Sequence, residues 1–141
     1  MNVCFVAGFG PIIRDPDSSH SFWAQGMGIP LKEAAPGFWA VDDLEGTKAF
    51  GLYPLSQAAE QCFGTSVWPA EIPAPQAWID LDVESPAAVA EAATELEAAG
   101  YRVLRDALGE SWGTTAAVAL SPEGLLIGVT YTPAMHAPTV S

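Results

Sequence analysis

The sequence predicts an α+β domain made of two βαβββ modules, one after the other in a chain of 141 residues. Three observations predict it. Strand-like and helix-like segments run β-α-β-β-β, and after a proline-rich interruption the same order restarts. The cleanest strand alternation, over residues 76–83, opens the second run as residues 3–13 open the first. A short internal echo also links the module ends. Leu44-Glu45-Gly46 precedes an apolar stretch and Gly51-Leu52-Tyr53-Pro54, while Pro122-Glu123-Gly124 precedes an apolar stretch and Gly128-Val129-Thr130-Tyr131, one residue out of register. The length is that of one domain, 1–141, and suffices to bury a core.

The first module with a short closing helix occupies 1–64. Residues 3–13 read as a strand broken near Gly8 and Gly10. Asp15-Pro16 then starts a helix, because Asp accepts from orphan N–H groups and Pro suits the first helical position. That helix carries Phe22 and Trp23 and ends near Gly26-Met27-Gly28. Two short strands follow at 30–34 and 37–42, then a turn at 42–46 and a strand at 47–54. Ser56 to Phe63 forms a short helix closed by Gly64, too short to stand without tertiary packing. The connector, 65–75, contains Pro69, Pro73 and Pro75.

The second module occupies 76–133. In its first strand Ile79, Leu81 and Val83 point one way and Trp78, Asp80 and Asp82 the other. Ser85-Pro86 starts the clearest helix, with Val89, Ala93 and Leu96 on its apolar face and Gly100 past its end. Strands follow at 101–105, 112–120 and 125–132, the last two joined by a tight turn at 121–124. Residues 134–141 are a tail.

Composition narrows the function. Seventeen acidic against five basic residues give a net charge of −12, which repels nucleic acid and disfavours an anionic membrane surface. Cationic small molecules are attracted, although the same charge also serves solubility alone. Two scattered cysteines, Cys4 and Cys62, fit a reducing compartment, and the start of the chain lacks the positive region of a signal peptide. The expected location is the cytoplasm. No apolar run approaches the roughly 20 residues of a membrane span. Neither Gly8-Phe9-Gly10 nor Gly26-Met27-Gly28 continues into a phosphate loop or dinucleotide fingerprint, and no Ser, Cys and His cluster in the sequence as a nucleophilic constellation.

Three stretches resemble the vicinal-oxygen-chelate superfamily, which holds glyoxalase I, extradiol dioxygenases and the bleomycin-resistance proteins. They are Pro11-Ile12-Ile13-Arg14-Asp15 with Ser21-Phe22-Trp23 and Met27-Gly28-Ile29; Ile79 to Val83 with Leu96-Glu97-Ala98-Ala99-Gly100-Tyr101; and Trp112-Gly113 with Leu120-Ser121-Pro122-Glu123-Gly124 and Gly128-Val129-Thr130-Tyr131-Thr132-Pro133. The resemblance implies two four-stranded sheets curled around a U-shaped cavity, and commonly a homodimer. It also implies a divalent ion held by His or Gln on the first strand of a half and Glu on its last. Those positions fall at Gly8, at Gln76 or Trp78, near Phe50 or Gly51, and at Gly128. Glycine supplies no ligand, and the two histidines, His20 and His136, lie in the first helix and the tail. No metal, no other cofactor and no catalytic residue is therefore expected.

The expected ligand-binding residues are Trp39, Phe50, Trp68, Trp78, Asp80, Trp112, Gly128 and Thr130. Rings beside carboxylates suit a flat or cationic ligand. Against that, Trp78 plugs the barrel and the aspartates are solvated. The glycines likewise either let a ligand approach backbone or relieve sheet curvature. On the last strand Ile127, Val129 and Tyr131 face the helix layer, which leaves Gly128, Thr130 and Thr132 to the cavity. The expectation is a non-catalytic protein that sequesters a planar or cationic natural product such as an antibiotic. The alternative is a metal-dependent lyase or dioxygenase with displaced ligands.

Overall fold

The computed structural model describes residues 1–110 and 113–136. Eight strands and three α-helices appear in the order β1 (Val3–Ile13), α1 (Pro16–His20), β2 (Lys32–Ala35), β3 (Phe38–Val41), β4 (Phe50–Pro54), α2 (Leu55–Phe63), β5 (Ala77–Val83), α3 (Pro86–Ala98), β6 (Arg102–Gly109), β7 (Thr115–Leu120) and β8 (Leu126–Tyr131). A π-helical segment, Ser21–Gly26, continues α1, and a 3-10 turn, Pro133–Met135, follows β8. No helix among the described residues is long and apolar enough to cross a membrane.

The strands form one curled sheet in the order β2-β3-β4-β1-β5-β8-β7-β6. Each half pairs its first strand with its last in parallel, β1 with β4 and β5 with β8. The halves are joined by the antiparallel seam of β1 and β5, in which Gly8 faces Asp80 and Phe9 faces Ile79. The two four-stranded halves expected from the sequence thus join edge to edge into one curled sheet around the cavity.

Local chemistry explains the helices. The Asp15 side chain accepts from Ser18 N, and Pro16 takes the first helical position. Ser85 caps α3 in the same way, accepting from Ala88 N at 3.1 Å. Gly100, at φ +88°, turns the chain out of α3, and Tyr101 N returns to Leu96 O at 2.9 Å. The apolar face of α3 packs Val89, Ala92 and Ala93 onto Val83, Ala117 and Val129, with Leu96 and Tyr131 beside them. In the first half Trp23 covers Ile13, Val41, Phe50 and Leu52.

Several boundaries differ from expectation for local reasons. β1 runs unbroken through Gly8 and Gly10 and absorbs its irregularity as register shifts between Val3 and Phe5 and between Val6 and Gly8. Gly10 is required there, because a Cβ would stand 1.7 Å from the Gly51 carbonyl oxygen. β4 starts at Phe50 because Thr47 is held in the preceding turn, its N–H on Leu44 O. β6 extends to Gly109 and β7 starts at Thr115, and just beyond their ends Glu110 N donates to Thr114 O at 2.7 Å.

Candidate functional site

A cavity of about 600 Å³ lies in the curl of the sheet, with lining residues from all eight strands, from α2 and from the 3-10 turn. Alternation along β5 turns Trp78 and Asp80 into it, and alternation along β8 does the same for Gly128 and Thr130. Much of the wall is alanine and glycine, so the backbone is close to the cavity space.

Three rings line one side. Phe38 lies 5.3 Å from Tyr53, and Tyr53 stacks on Trp78 at 5.6 Å with only 13° between their planes. Gly51 makes the row fit, because a Cβ there would approach the Phe38 ring to 3.0 Å. The row ends at Asp80, whose Oδ1 accepts from the Trp78 indole N–H at 2.7 Å. Gly128 lies beneath that carboxylate, and a Cβ on it would stand 2.0 Å from Oδ1. The glycines at 10, 51 and 128 therefore accommodate neighbouring protein atoms. At Gly8 a Cβ would make only ordinary contact with Ala49.

Burial pushes the Asp80 carboxyl up to about 6, the Trp78 hydrogen bond opposes that shift and the nearby Asp82 adds to it. Burial, and then the charge of Asp80, raises the Tyr53 phenol far above its ordinary value, so it stays protonated. Behind Asp80, the fully buried Asp82 accepts hydrogen bonds from the Thr130 hydroxyl and from Thr132 N at 2.8 Å, and its Oδ2 lies 2.8 Å from His136 Nε2. His136 is thus fixed between Phe5 and Tyr131. On β6, the Arg105 Nη2 meets Glu110 Oε1 at 2.8 Å and Ala116 O at 3.1 Å.

Of the residues expected to bind ligand, the cavity brings together Phe50, Trp78, Asp80, Gly128 and Thr130. The Phe50 ring also packs into the first-half core against Trp23 and Phe9. Trp39 is placed elsewhere, in the first-half core with its ring 4.3 Å from His20. Trp68 is in the connector, where its indole donates to Ile72 O at 2.8 Å and its ring packs on Phe63. Trp112 lies outside the described residues. The Thr130 hydroxyl, read as a group for orienting a ligand, donates to Asp82. Sequence reasoning did not single out Phe38, Tyr53 or Arg105, while Glu110, read as part of an acidic loop bordering a cavity mouth, does line the cavity. For Tyr53 a usable signal existed, since it follows Gly51 by two residues and so shares its face of β4.

In the seam Gly8 faces Asp80 and Gly10 faces Trp78, so Asp80 stands across from the first-strand position. Asp80 is then the one carboxylate among Gly8, Asp80, Gly128 and Gly51, and its Oδ1 is engaged by Trp78. No group of three His, Cys, Asp or Glu side chains among the described residues is arranged to hold a metal ion. One carboxylate, already hydrogen-bonded, does not fit the three- or four-donor shell that a divalent ion needs here.

No family model matches the sequence, and no curated protein matches it. Solved structures do match. A glyoxalase/bleomycin resistance protein/dioxygenase superfamily member from Vibrio splendidus 12B01 is 17% identical, with TM-score 0.60 over 91% of this chain and 98% of that one. A structure described as NAD-dependent benzaldehyde dehydrogenase from Legionella pneumophila is 14% identical, with TM-score 0.60 over 88% and 96%. Methylmalonyl-CoA epimerase from Streptomyces coelicolor is 14% identical, with TM-score 0.55 over 97% and 100%. These descriptions name different chemistries, so the likeness carries architecture and leaves function to the site. In its strand order, paired halves and central cavity, the chain has the glyoxalase/bleomycin-resistance fold.

Proposed function

We propose that this protein is a receptor that sequesters a planar small molecule, preferably one bearing a cationic nitrogen, of the kind found among aromatic antibiotics. The observation that supports it best is the row Phe38, Tyr53 and Trp78 ending on the Asp80 carboxylate. A flat ligand laid along that row gains offset stacking, about 0.5–1.5 kcal/mol per ring pair beyond burial. A protonated nitrogen at its end meets Asp80, which is ionised at neutral pH. A volume of about 600 Å³ suits a drug-sized molecule. Protection then follows from mass action, because stoichiometric binding lowers the free drug without a chemical step. The reading places the protein in the cytoplasm, with Cys4 and Cys62 as free thiols. It pairs two copies, an association favoured by the exposed Val3, Val6 and Phe9 on β1.

The test is a tryptophan-fluorescence titration with bleomycins, mitomycins and aromatic polyketides, repeated with Trp78→Phe. A saturable change in the wild type that is lost in the variant supports the reading. Unchanged emission across the whole panel refutes it. Light scattering that gives a monomer mass at micromolar concentration refutes the pairing.

A further inference from the structure

We propose that the cavity also catalyses proton transfer at carbon without a metal: Asp80 Oδ2 is the general base, and the Tyr53 hydroxyl is the hydrogen-bond donor to the enolate oxygen of a flat, ring-fused ketone. The proposal rests on the reading that a planar molecule occupies the ring row, and adds a reaction for ligands that carry an acidic C–H beside a carbonyl.

The two oxygens of Asp80 are not equivalent. Oδ1 is held by the Trp78 N–H above Gly128, which fixes the plane of the carboxylate. Oδ2 makes no hydrogen bond to the described residues, and Asp80 lines the cavity. A base locked through one oxygen and open through the other is already oriented for attack. The Tyr53 hydroxyl lies 3.5 Å from where a Gly8 Cβ would be, and Gly8 faces Asp80 across the seam. Residues facing each other in an antiparallel ladder have Cα atoms about 4.5–5.5 Å apart, so base and donor address the same part of the cavity. The hydroxyl makes no hydrogen bond to the described residues and stays protonated, as a donor must. The stacked Tyr53–Trp78 pair sets the plane in which a flat substrate lies. Burial brings Asp80 to about 6, close to the optimum for a base near neutrality.

In the step, Oδ2 takes the α-proton. The C–H electron pair becomes the C=C bond, and the C=O π pair moves to oxygen, which accepts from the Tyr53 hydroxyl. The proton on Oδ2 is replaced from solvent water entering the cavity, and the solvent-derived proton (a deuteron in D₂O) is delivered from Oδ2 to the same carbon; alternatively the abstracted proton passes to the far carbon of a conjugated system. The cycle closes as exchange or double-bond migration, with no oxidant or second reactant. The other titratable groups nearby are engaged: Glu110 with Arg105, and Asp82 with Thr130, Thr132 and His136.

The probe is 2-tetralone in D₂O, with deuterium entry at the α-carbon followed by proton NMR and binding followed in parallel by tryptophan fluorescence. Wild type is expected to exchange it well above the buffer rate, with kcat/KM rising through pH about 6. Asp80→Asn is expected to bind the ketone and lose exchange by about 100-fold or more. Tyr53→Phe is expected to lower kcat by about 10- to 100-fold with KM little changed, which keeps the test decisive if the Asp80 variant is poorly folded. Binding without exchange overturns the proposal and leaves the receptor reading intact. Failure of 2-tetralone to bind also overturns it, while antibiotic binding is scored separately. Exchange retained by both variants assigns the chemistry to other groups and overturns it too.

Discussion

Trp78 and Asp80 stand two residues apart on one strand, and their side chains are joined, the indole N–H donating to Oδ1 at 2.7 Å. A strand places residues i and i+2 on one face, and here that spacing makes a fluorophore the partner of a titrating acid. Tryptophan emission is expected to change in a single step with a midpoint near pH 6. The step should vanish in both Trp78→Phe and Asp80→Asn. If it survives in Trp78→Phe, another tryptophan reports and the coupling is refuted.

The same acid ties stability to pH. The folded carboxyl titrates at about 6 against 3.8 when unperturbed. Between those values the folded state binds more protons than the unfolded state, so this contribution is greatest below pH 3.8 and declines as pH rises through 6. Asp80→Asn removes the buried charge and keeps an acceptor for the Trp78 N–H. It is expected to be more stable than wild type at pH 7.5, by on the order of 2 kcal/mol, with the advantage gone at pH 4. Thermal melts at the two pH values check this, and an equal difference at both would contradict it.

Gly128 tests how tightly the carboxylate is seated. A methyl group at this position meets Oδ1 at 2.0 Å, so Gly128→Ala must displace Asp80 from Trp78. The expected cost is about 1–3 kcal/mol in urea unfolding, together with loss of the emission step. Gly8→Ala is the matched control, because its Cβ would make only van der Waals contact. Equal tolerance of both changes would show that the carboxylate moves freely.

Arg105 and Glu110 form a largely shielded pair, 15% and 14% exposed. Glu110→Gln leaves the guanidinium with carbonyl partners and no counter-charge. It is expected to cost about 3 kcal/mol, seen as a lower urea midpoint at unchanged slope. A loss under about 0.5 kcal/mol would class the pair with solvent-screened bridges.

The modules were legible because their punctuation is local. Asp15-Pro16, Ser85-Pro86 and Gly100 act within a turn of the chain, so their chemistry reads directly from sequence. The cavity faces of β5 and β8 were legible from alternation, which gave Trp78, Asp80 and Gly128 their side of the sheet. Identity without a face was not enough for Trp39, which pairs with the core-facing Leu52 on a strand of four residues. Phe38 was missed because a strand of four residues gives alternation little length to register. Arg105 was hidden by the register shifts on either side of it in β6. The Gly8–Asp80 pairing depends on the register shifts in β1, which nothing nearby in sequence announces.

The seam of β1 and β5 makes the cavity a joint product of the two halves of the chain. Tyr53 and Gly8 come from one half, Trp78, Asp80 and Gly128 from the other, and their meeting waits on a ladder between residues some seventy positions apart. Neither half synthesised alone carries a complete pocket. Severing the peptide within 65–75 would leave two fragments with matching open strand edges, whose recombination would restore ring row and carboxylate together. Ligand capture then reports assembly itself, and the protein is suited to being split into a reconstitutable pair.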